Sequence, residues 1–297
     1  MNQKILALLI AAALAQPALA TEGGGSVYPV GVETNFTGLM LPEGENLLLY
    51  YQHYSADQIK DNNGNNNARI TQFKSQADVL ALRYSHVWRD FKIAGANVET
   101  RAVLSLPNLD LDMHLAAAPF DRSGKASGIG DMTLAPVLLG WHGPTLHQMA
   151  GMEVILPTGQ YDKNRNVNAG RNTWQAAALY GLTWLPGAWE ASARVRYGIN
   201  GRNADTDYRS GDELTLEFSG GYKFAPGWSG GLNGYLYRQV TDDVRNGNTV
   251  YGNRASVNAI GPYVAHAFSK QASIVAKIQI ESDAKNRAEG QRLWLQA

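Results

Sequence analysis

The sequence feature that most constrains the fold is a period-two alternation of apolar and polar residues. In the stretch 189–199 the odd-numbered residues are apolar or aromatic, and most even-numbered residues are charged or polar. Similar alternation runs through 94–105, 213–224 and 271–281. Successive side chains of a β-strand point to opposite faces, so these stretches predict strands with one apolar and one polar face. Each run is about ten residues or slightly longer, which is the length that a tilted strand needs to cross a bilayer. The pattern therefore favours a transmembrane β-barrel.

The alternation extends over most of the chain. We predict twelve strands, which lie near 46–54, 77–88, 93–106, 131–141, 146–156, 174–184, 188–199, 212–224, 228–239, 254–268, 272–282 and 290–297. An even strand number is expected of an antiparallel up-and-down barrel. The fold class predicted is therefore all-β, with about 12 strands around a closed barrel.

The connections between these strands alternate between short and long. Short turns are predicted at 89–92, 142–145, 185–187, 225–227 and 269–271. Long polar stretches are predicted at about 55–76, 107–130, 157–173, 200–211, 240–253 and 283–289. This arrangement is typical of barrels with short periplasmic turns and long extracellular loops, and it places both chain ends on the periplasmic side.

Aromatic residues flank the predicted short turns. An amphipathic ring prefers the interface between membrane and water, so these residues predict a periplasmic aromatic girdle. Its members are Trp88, Phe91, Trp141, Trp184, Trp189, Phe224, Trp228 and Phe268. The alternative is aromatic packing at the end of a soluble β-sandwich, which refolding without detergent would reveal.

The N-terminus carries the pattern of a secretory signal peptide. Lys4 precedes an apolar run from Ile5 to Ala15, and Ala18 and Ala20 offer the small residues of a cleavage site. The run is too short to cross a membrane as a helix. We therefore expect residues 1–20 to be a signal peptide cleaved after Ala20, residues 21–45 to be a periplasmic or plug segment, and residues 46–297 to form the barrel.

Charge and cysteine content narrow the partners. The chain has 26 basic and 26 acidic residues, and this balance argues against a nucleic-acid partner. It has no cysteine, so the fold must hold without disulfides. The expected partners are outer-membrane lipid, the barrel-assembly machinery and a small hydrophobic or aromatic ligand. No cofactor or metal is expected.

The polar faces of the predicted strands nominate lumen residues. Acids and bases on neighbouring strands can pair across a sheet. Such residues either form a structural network that narrows the lumen or set its selectivity, and the sequence leaves both alternatives open. The candidates are Glu99, Arg101, Glu153, Glu190, Arg194, Arg196, Glu213, Glu217, Lys223, Lys277 and Glu281.

Five sequence blocks carry a family resemblance. They are Glu22 to Gly31 with Gly38 to Gly44; Ser127 to Asp131 leading to Pro136 and Trp141; Leu156 to Asp162 with Gly170 to Trp174; Tyr208 to Gly211; and Tyr237 to Asp243 leading to Gly261 and Pro262. In this order they resemble the phenol meta-degradation (MetA-pathway) outer-membrane protein family, also called SphA-like. The resemblance implies an outer-membrane barrel associated with uptake of aromatic or other hydrophobic compounds. One departure is the last residue, Ala297, because such barrels usually end in an aromatic residue.

These observations predict a channel or transporter-like barrel for passive uptake of small hydrophobic or aromatic compounds, without chemical change to them. A structural or binding barrel with a salt-bridged, non-conducting lumen is the alternative. An outer-membrane hydrolase is a third hypothesis, although no nucleophile elbow, phosphate-binding loop or zinc-type histidine motif occurs in the sequence. No catalytic residue is therefore nominated.

Overall fold

A computed structural model describes residues 25–116, 122–269 and 271–297 of the chain. The predicted signal peptide and its cleavage site lie outside these residues. Within the described ranges, no helix is long and apolar enough to cross a bilayer. The regular structure consists of strands.

The strands fall into a large and a small set. The large set comprises β1 (Gly44–Ile59), β2 (Ile70–Ile93), β3 (Ala96–Leu115), β4 (Gly124–Ser127), β5 (Met132–His142), β6 (Leu146–Leu156), β7 (Gln175–Trp184), β8 (Trp189–Asn200), β11 (Glu213–Ala225), β12 (Trp228–Gln239), β15 (Ser256–Ala267), β16 (Ser273–Lys285) and β17 (Ala288–Gln296). The small set comprises β9 (Arg202–Asn203), β10 (Tyr208–Arg209), β13 (Asp243–Arg245) and β14 (Asn248–Val250).

Antiparallel pairing closes the large set into a barrel. The order is β2-β1-β17-β16-β15-β12-β11-β8-β7-β6-β5-β3, and β2 also pairs with β3 to complete the ring. The short strand β4 adds to the outer end of β3. Twelve strands therefore form the wall, which confirms the predicted fold class.

The two faces of the wall differ in chemistry. On β8, Trp189 and Val195 are exposed, whereas the alternate residues Glu190, Arg194 and Arg196 are buried. Leu214 and Leu216 on β11 point outward between the buried residues Glu213, Thr215 and Glu217. Large exposed apolar patches on a monomer mark an interaction surface, and here the patch encircles the wall as a belt. The barrel is therefore of the transmembrane type, with its apolar face towards lipid and its polar face towards the lumen.

The first hairpin departs from the predicted boundaries. The turn expected at 89–92 is a bulge in which Asp90 has a φ of 53°, and pairing between β2 and β3 continues beyond it. The reversal itself lies at Ala94 and Gly95, which both have positive φ as a tight hairpin turn requires. At the other end β2 and β3 extend through polar sequence, so the loops expected at 55–76 and 107–130 are shorter than predicted. The loop expected at 283–289 is likewise a two-residue connection between β16 and β17.

A second bulge lies on β5. Glu99 pairs with Leu138 and Arg101 with Ala135, so the chain advances two residues on β3 and three on β5. A bulge inserts one extra residue into one strand of a pair. The two residues between Ala135 and Leu138 are accordingly both exposed, whereas Ala135 and Leu138 are buried.

Residues 25–43, which we call the lumenal strap, lie inside the ring of strands. The strap bonds to inward-facing side chains from many sides of the barrel, and these partners are Arg83, Thr183, Ser192, Arg194, Glu213, Glu217, Asn233, Lys277, Gln279 and Gln296. It runs from Gly25, near Arg171 at the extracellular loops, to Gly38, near the periplasmic end of β7.

The C-terminus takes part in barrel closure. The backbone groups of Leu49 and Ala297 exchange two hydrogen bonds of 2.9 Å. The side chain of Trp294 faces the lumen, where its indole N–H donates to Gln279 at 3.1 Å. The non-aromatic last residue is therefore fully paired with the first strand of the wall.

Candidate lumenal site

Ten of the eleven predicted lumen residues are buried on the inner face of the wall. They are Glu99, Arg101, Glu153, Glu190, Arg194, Arg196, Glu213, Glu217, Lys277 and Glu281. The eleventh, Lys223, has the inward parity of β11 but is exposed beside the turn at Pro226 and Gly227. The strand passes beyond the buried part of the lumen before it turns, so the role of Lys223 stays a prediction.

The ten residues separate into clusters. In the first, Glu153 lies between two arginines on β8, with its carboxylate 2.5 Å from Arg196 Nε and 3.4 Å from Arg194 Nη2. Arg194 also contacts Glu217 on β11 at 3.1 Å. Four charges thus alternate in sign across three strands. Buried charges need this kind of pairing, because an unpaired one is costly to remove from water.

A second cluster lies on β2 and β3 and includes the strap. Glu99 accepts from Arg101 at 2.9 Å and from Arg83 at 3.1 Å. Both arginines also approach Glu33 of the strap, at 3.1 Å for Arg83 and 3.7 Å for Arg101. The strap therefore completes the charge balance of this cluster.

A third cluster surrounds Glu281 on β16. Its carboxylate lies 3.2 Å from Arg292 and 3.7 Å from Arg287. The hydroxyl groups of Tyr54 and Tyr235 donate to the same carboxylate at 3.0 and 2.6 Å. The two arginines balance the charge of this carboxylate, and the two phenol groups add hydrogen bonds. The carboxylate is therefore satisfied although it has no access to bulk water.

Glu190 and Glu213 are satisfied differently, by neutral donors. Glu190 accepts from Ser192 at 2.6 Å and from the hydroxyl of Tyr263 at 2.6 Å. Tyr263 reaches it across Gly221, where a Cβ atom would lie 2.0 Å from the phenol oxygen. Glu213 accepts from Tyr237 at 3.2 Å, among other donors. A phenol hydroxyl bonded to a carboxylate thus recurs along the lumen.

The wall holds the strap mainly through hydrogen bonds. Glu217 accepts from the backbone N–H groups of Gly31 at 2.7 Å and Glu33 at 3.2 Å. In the opposite direction, Lys277 donates to the carbonyl of Val32 and the hydroxyl of Thr34, both at 2.8 Å. Lys277 faces no carboxylate within ion-pair distance among the described residues, so the strap supplies its acceptors.

Tyr28 of the strap occupies a seat formed by β8 and β11. Its hydroxyl donates to Glu217 at 2.9 Å and accepts from Arg194 at 2.5 Å. The guanidinium of Arg196 lies over its ring, 4.3 Å from the centroid, and that of Arg194 lies at 5.4 Å. We call these three wall residues, Arg194, Arg196 and Glu217, the phenol seat. A cation over a ring face is attractive, and the effect increases when both are removed from water.

The sequence did not nominate several members of this site. Arg83 and Arg292 lie on the inner face where the alternation is regular, so the pattern that marks the other candidates could have found them. Arg287 lies in the connection between β16 and β17, where there is no alternation. Tyr28 and Glu33 precede the first strand and carry no periodicity. The only signal for them is the glycine-rich block itself, which allows the backbone to lie close against the wall.

The predicted girdle residues lie at the short-turn end of the barrel. Seven of the eight side chains are exposed, and Trp141 is half-buried, with its indole N–H donating to the carbonyl of Ala94 at 3.2 Å. Trp189 stacks edge-on against Tyr222, and Trp228 lies against His266. Their role at a membrane interface stays a prediction.

The extracellular loops fold over the other end. The small strands β9, β10, β13 and β14 form a separate sheet there. Asp243 binds this sheet to the barrel by accepting from Gly211 N–H and Gln239 at 2.8 Å. In the same region, the hydrogen bond from Arg254 lowers the pKa of the Asp242 carboxyl below its ordinary value. A cavity of about 10 Å³ remains beside Val27 and Arg171, which is room for roughly one water molecule.

Comparisons with known proteins agree with this architecture. A family model described as "MetA-pathway of phenol degradation" matches residues 56–297. The crystal structure of an outer membrane channel from Pseudomonas putida F1 is similar, with a TM-score of 0.74 and 21% identity over 91% of this chain and 98% of that chain. The transport unit of the autotransporter AIDA-I from Escherichia coli has a TM-score of 0.53 and 8% identity over 89% of this chain and 93% of that chain. Among curated proteins none matches the sequence.

Proposed function

The chain belongs to the MetA-pathway phenol-degradation family of outer-membrane-type barrels, and on that premise we propose that it conducts small phenolic and other aromatic molecules across the outer membrane without altering them. In this proposal the lumenal strap closes the path at rest. Passage requires the strap to leave the wall, and the incoming ring then takes over the contacts that Tyr28 makes in the closed state.

The phenol seat is the observation that carries this proposal. The side chain of Tyr28 is itself a phenol, and the barrel binds it by ring and hydroxyl at once. A free phenol offers the same ring face to Arg196 and the same hydroxyl to Glu217. In addition, one guanidinium nitrogen of Arg196, Nη1, is buried and has no hydrogen-bond partner among the described residues. The seat can therefore serve an aromatic guest with a polar substituent.

The rest of the lumen repeats the same chemistry. The rings of Tyr54 and Tyr235 lie beside Arg292, and the ring of Tyr237 lies 4.9 Å from Arg287. A phenol that leaves the first seat would meet further phenol hydroxyls and guanidinium groups along the wall. A row of weak and similar sites along the lumen suits conduction, because each site must bind a molecule and also release it.

Two further observations support a transport role. A solved structure with similar fold is named an outer membrane channel. The strap also contacts the wall through many hydrogen bonds and ion pairs, which water can replace when the strap leaves. Its side chains Tyr28 and Val30 belong to a buried apolar cluster with the wall, so release of the strap must also expose this apolar surface.

Phenol binding to the Tyr28→Ala variant tests the proposal. The purified mature barrel in detergent is titrated with phenol, and binding is followed by calorimetry. Tyr28 competes with phenol for the seat, so the unmodified barrel rarely offers an empty seat. Removal of the Tyr28 side chain should therefore strengthen the apparent affinity for phenol about tenfold or more. Tyr28→Phe keeps the ring but loses the hydroxyl bonds, and we expect an intermediate affinity.

Tyr251→Ala serves as the matched control, because Tyr251 is an exposed loop tyrosine with 82% of its side chain accessible. It should bind phenol as the unmodified barrel does. In planar bilayers, Tyr28→Ala should also raise the conductance, and added phenol should reduce the current. Equal and weak phenol binding by all four proteins would contradict the proposal.

The filled lumen supports one rival, a non-conducting structural or binding barrel. Ion pairs and the strap occupy the interior between the wall strands, and the described cavity admits little more than water. A conductance near zero in both the unmodified barrel and Tyr28→Ala would favour this rival. Lipid turnover that is lost when one histidine is replaced would instead favour a hydrolase.

The remaining parts of the proposal concern location and partners. We propose export through the signal peptide with cleavage after Ala20, assembly by the barrel-assembly machinery, and contact of the apolar belt with outer-membrane lipid. Mass spectrometry of the mature N-terminus tests the cleavage site. A mature chain that still begins before Thr21 would contradict it.

A further inference from the structure

Two histidines face each other at the periplasmic mouth of the lumen. His142 ends β5 and His147 lies near the start of β6, and the two residues are direct partners across the hairpin. Both have the inward parity of their strands, opposite to the outward-facing Trp141 and Leu146. Their Nδ1 atoms are 3.2 Å apart, and their ring centroids are 5.3 Å apart. Nothing in the proposed transport path uses this pair.

We propose that His142 and His147 form a binding site for a divalent transition-metal ion such as Zn²⁺, Ni²⁺ or Cu²⁺. Imidazole nitrogen is a preferred ligand of these ions. A tetrahedral Zn²⁺ site with metal–nitrogen distances of about 2.0–2.1 Å places two nitrogens about 3.3 Å apart. The separation of the two Nδ1 atoms already matches this value, so the ion can bind without rearrangement of the strands.

The hairpin holds the pair in place. The turn between the strands closes with a hydrogen bond of 2.9 Å from Gly143 N–H to the carbonyl of Leu146. Two ligands on adjacent strands of a closed ladder have little freedom to separate, and preorganised ligands lose less entropy on binding. His142 is exposed and His147 is half-buried, so water can reach the ion and fill its other coordination positions.

The pair differs from the other histidines of the chain. His53, His86 and His114 each contact a carboxylate, from Asp78, Glu45 and Asp112 respectively. His266 is enclosed by Trp228 and Phe268. Among the described residues no group of three or more His, Cys, Asp and Glu side chains is arranged to hold a metal ion. The proposed site is therefore a two-histidine site that water completes.

The site lies where the strap meets the wall. A side chain at Gly38 would collide with the carbonyl oxygen of His147, and Met40 packs beside Gly140 and His142. An ion bound to both imidazoles would link β5 to β6 immediately next to this contact. Binding is independent of whether phenols pass through the barrel, so the two proposals can fail separately.

Calorimetric titration of the mature barrel in detergent with Zn²⁺ at pH 7.5 tests the site. We expect one equivalent of Zn²⁺ per barrel, and at least about tenfold weaker binding in His142→Gln and in His147→Gln, since each leaves one imidazole. Binding should also weaken at pH 5.5, because protons compete with the metal ion for the imidazole nitrogens. With Cu²⁺, electron paramagnetic resonance should show two equatorial nitrogen ligands.

His266→Gln is the matched control, because it removes a histidine from the same rim but not from the pair. It should bind Zn²⁺ as the unmodified barrel does. Retained heat-modifiable migration on electrophoresis establishes that each variant is folded. The proposal is overturned if the unmodified barrel binds no Zn²⁺, or if the double variant with both glutamines still binds one equivalent with unchanged affinity.

Discussion

Glu217 receives hydrogen bonds from the strap and from the wall at once. It accepts from the strap backbone at Gly31 and Glu33, from the hydroxyl of Tyr28, and from Arg194 on the neighbouring strand. Its position on β11 is fixed by direct pairing with Arg194 across the ladder. One carboxylate therefore connects the strap, the phenol seat and the ion pairs of the wall.

Replacement of Glu217 by Gln tests this central role. The amide keeps the size of the side chain but leaves Arg194 with one fewer buried partner. Breaking a buried ion pair from one side typically costs about 3–5 kcal/mol. We expect a loss of this order in the free energy of unfolding, measured by denaturant titration of the barrel in detergent.

Asp110→Asn provides the comparison for that measurement. Asp110 pairs with Lys125 at 2.7 Å on the exposed end of the long hairpin. Exposed ion pairs contribute roughly 0–1 kcal/mol because water screens them, so this variant should lose little stability. Similar losses in the two variants would show that the lumenal network is as solvated as the surface.

Alternation was enough to predict which side chains enter the lumen on regular strands. Glu190, Ser192, Arg194 and Arg196 follow one another at a spacing of two residues, and all four are buried as that spacing requires. The alternation is lost where the backbone breaks the spacing. On β5 one extra residue leaves both positions between Ala135 and Leu138 exposed, and bulges carry no clear mark in this sequence. Which acid meets which base was not predictable either, because that depends on the stagger of neighbouring strands.

At the scale of elements, the strap is held close to the wall by small residues. Gly181 on β7 faces inward, and a Cβ atom there would lie 2.5 Å from the carbonyl oxygen of Thr37. The backbone of the strap can lie this close only where the wall has no side chain. Thr37 also donates to the carbonyls of Leu182 and Ala193 at 3.2 and 3.1 Å.

Gly181→Ala should therefore push the strap away from the wall. The chain has no cysteine, so a single cysteine at Thr34, which is fully buried, reports strap position through its reaction with a maleimide. We expect Thr34→Cys to react slowly by itself and at least several-fold faster when combined with Gly181→Ala.

Two controls accompany the labelling experiment. Thr249→Cys lies on the exposed short strand β14 and should react fast in either background. Gly220→Ala adds its methyl group to the outward face, where no atom comes closer than 3.9 Å, and should leave the reactivity of Thr34→Cys unchanged. If Thr34→Cys reacts at the same rate with glycine and with alanine at position 181, the strap stays in its position despite the extra methyl group.

The strap could not be located from sequence for a physical reason. A segment without regular structure inside a barrel satisfies its backbone groups through side chains of the wall, and these partners are distant in sequence. Gly31 bonds to Glu217, for example, across 186 positions. The glycine-rich composition is compatible equally with a free tail and with a segment pressed against a wall, so both alternatives stayed open.

At the scale of the whole molecule, the closed wall was the most predictable feature. One rule, apolar towards lipid and polar towards the lumen, repeats on every strand, and closure removes the unpaired edges that an open sheet would expose. The predicted limits of β6 and β12 agree with those observed, and each of these strands begins directly after a short turn. The predicted limits of β2 and β3 did not agree with those observed, because both strands extend beyond the apolar belt. Residues outside the belt do not face lipid, so apolar and polar residues need not alternate there.

If the belt contacts lipid, the cost of a charge on it should depend on depth. Val195 lies near the middle of β8 and is exposed, with Tyr180 and Leu216 beside it on the neighbouring strands. Val195→Arg should lower the free energy of unfolding in liposomes by about 2–4 kcal/mol, as an arginine at the bilayer midplane does. Leu146→Arg is the matched control, since Leu146 is equally exposed but begins β6 at the periplasmic rim. There the expected loss is only about 0–1 kcal/mol, because the guanidinium reaches the water interface. Equal losses at the two depths would mean that no hydrocarbon layer surrounds the barrel, and a passage through its lumen would then have no membrane to cross.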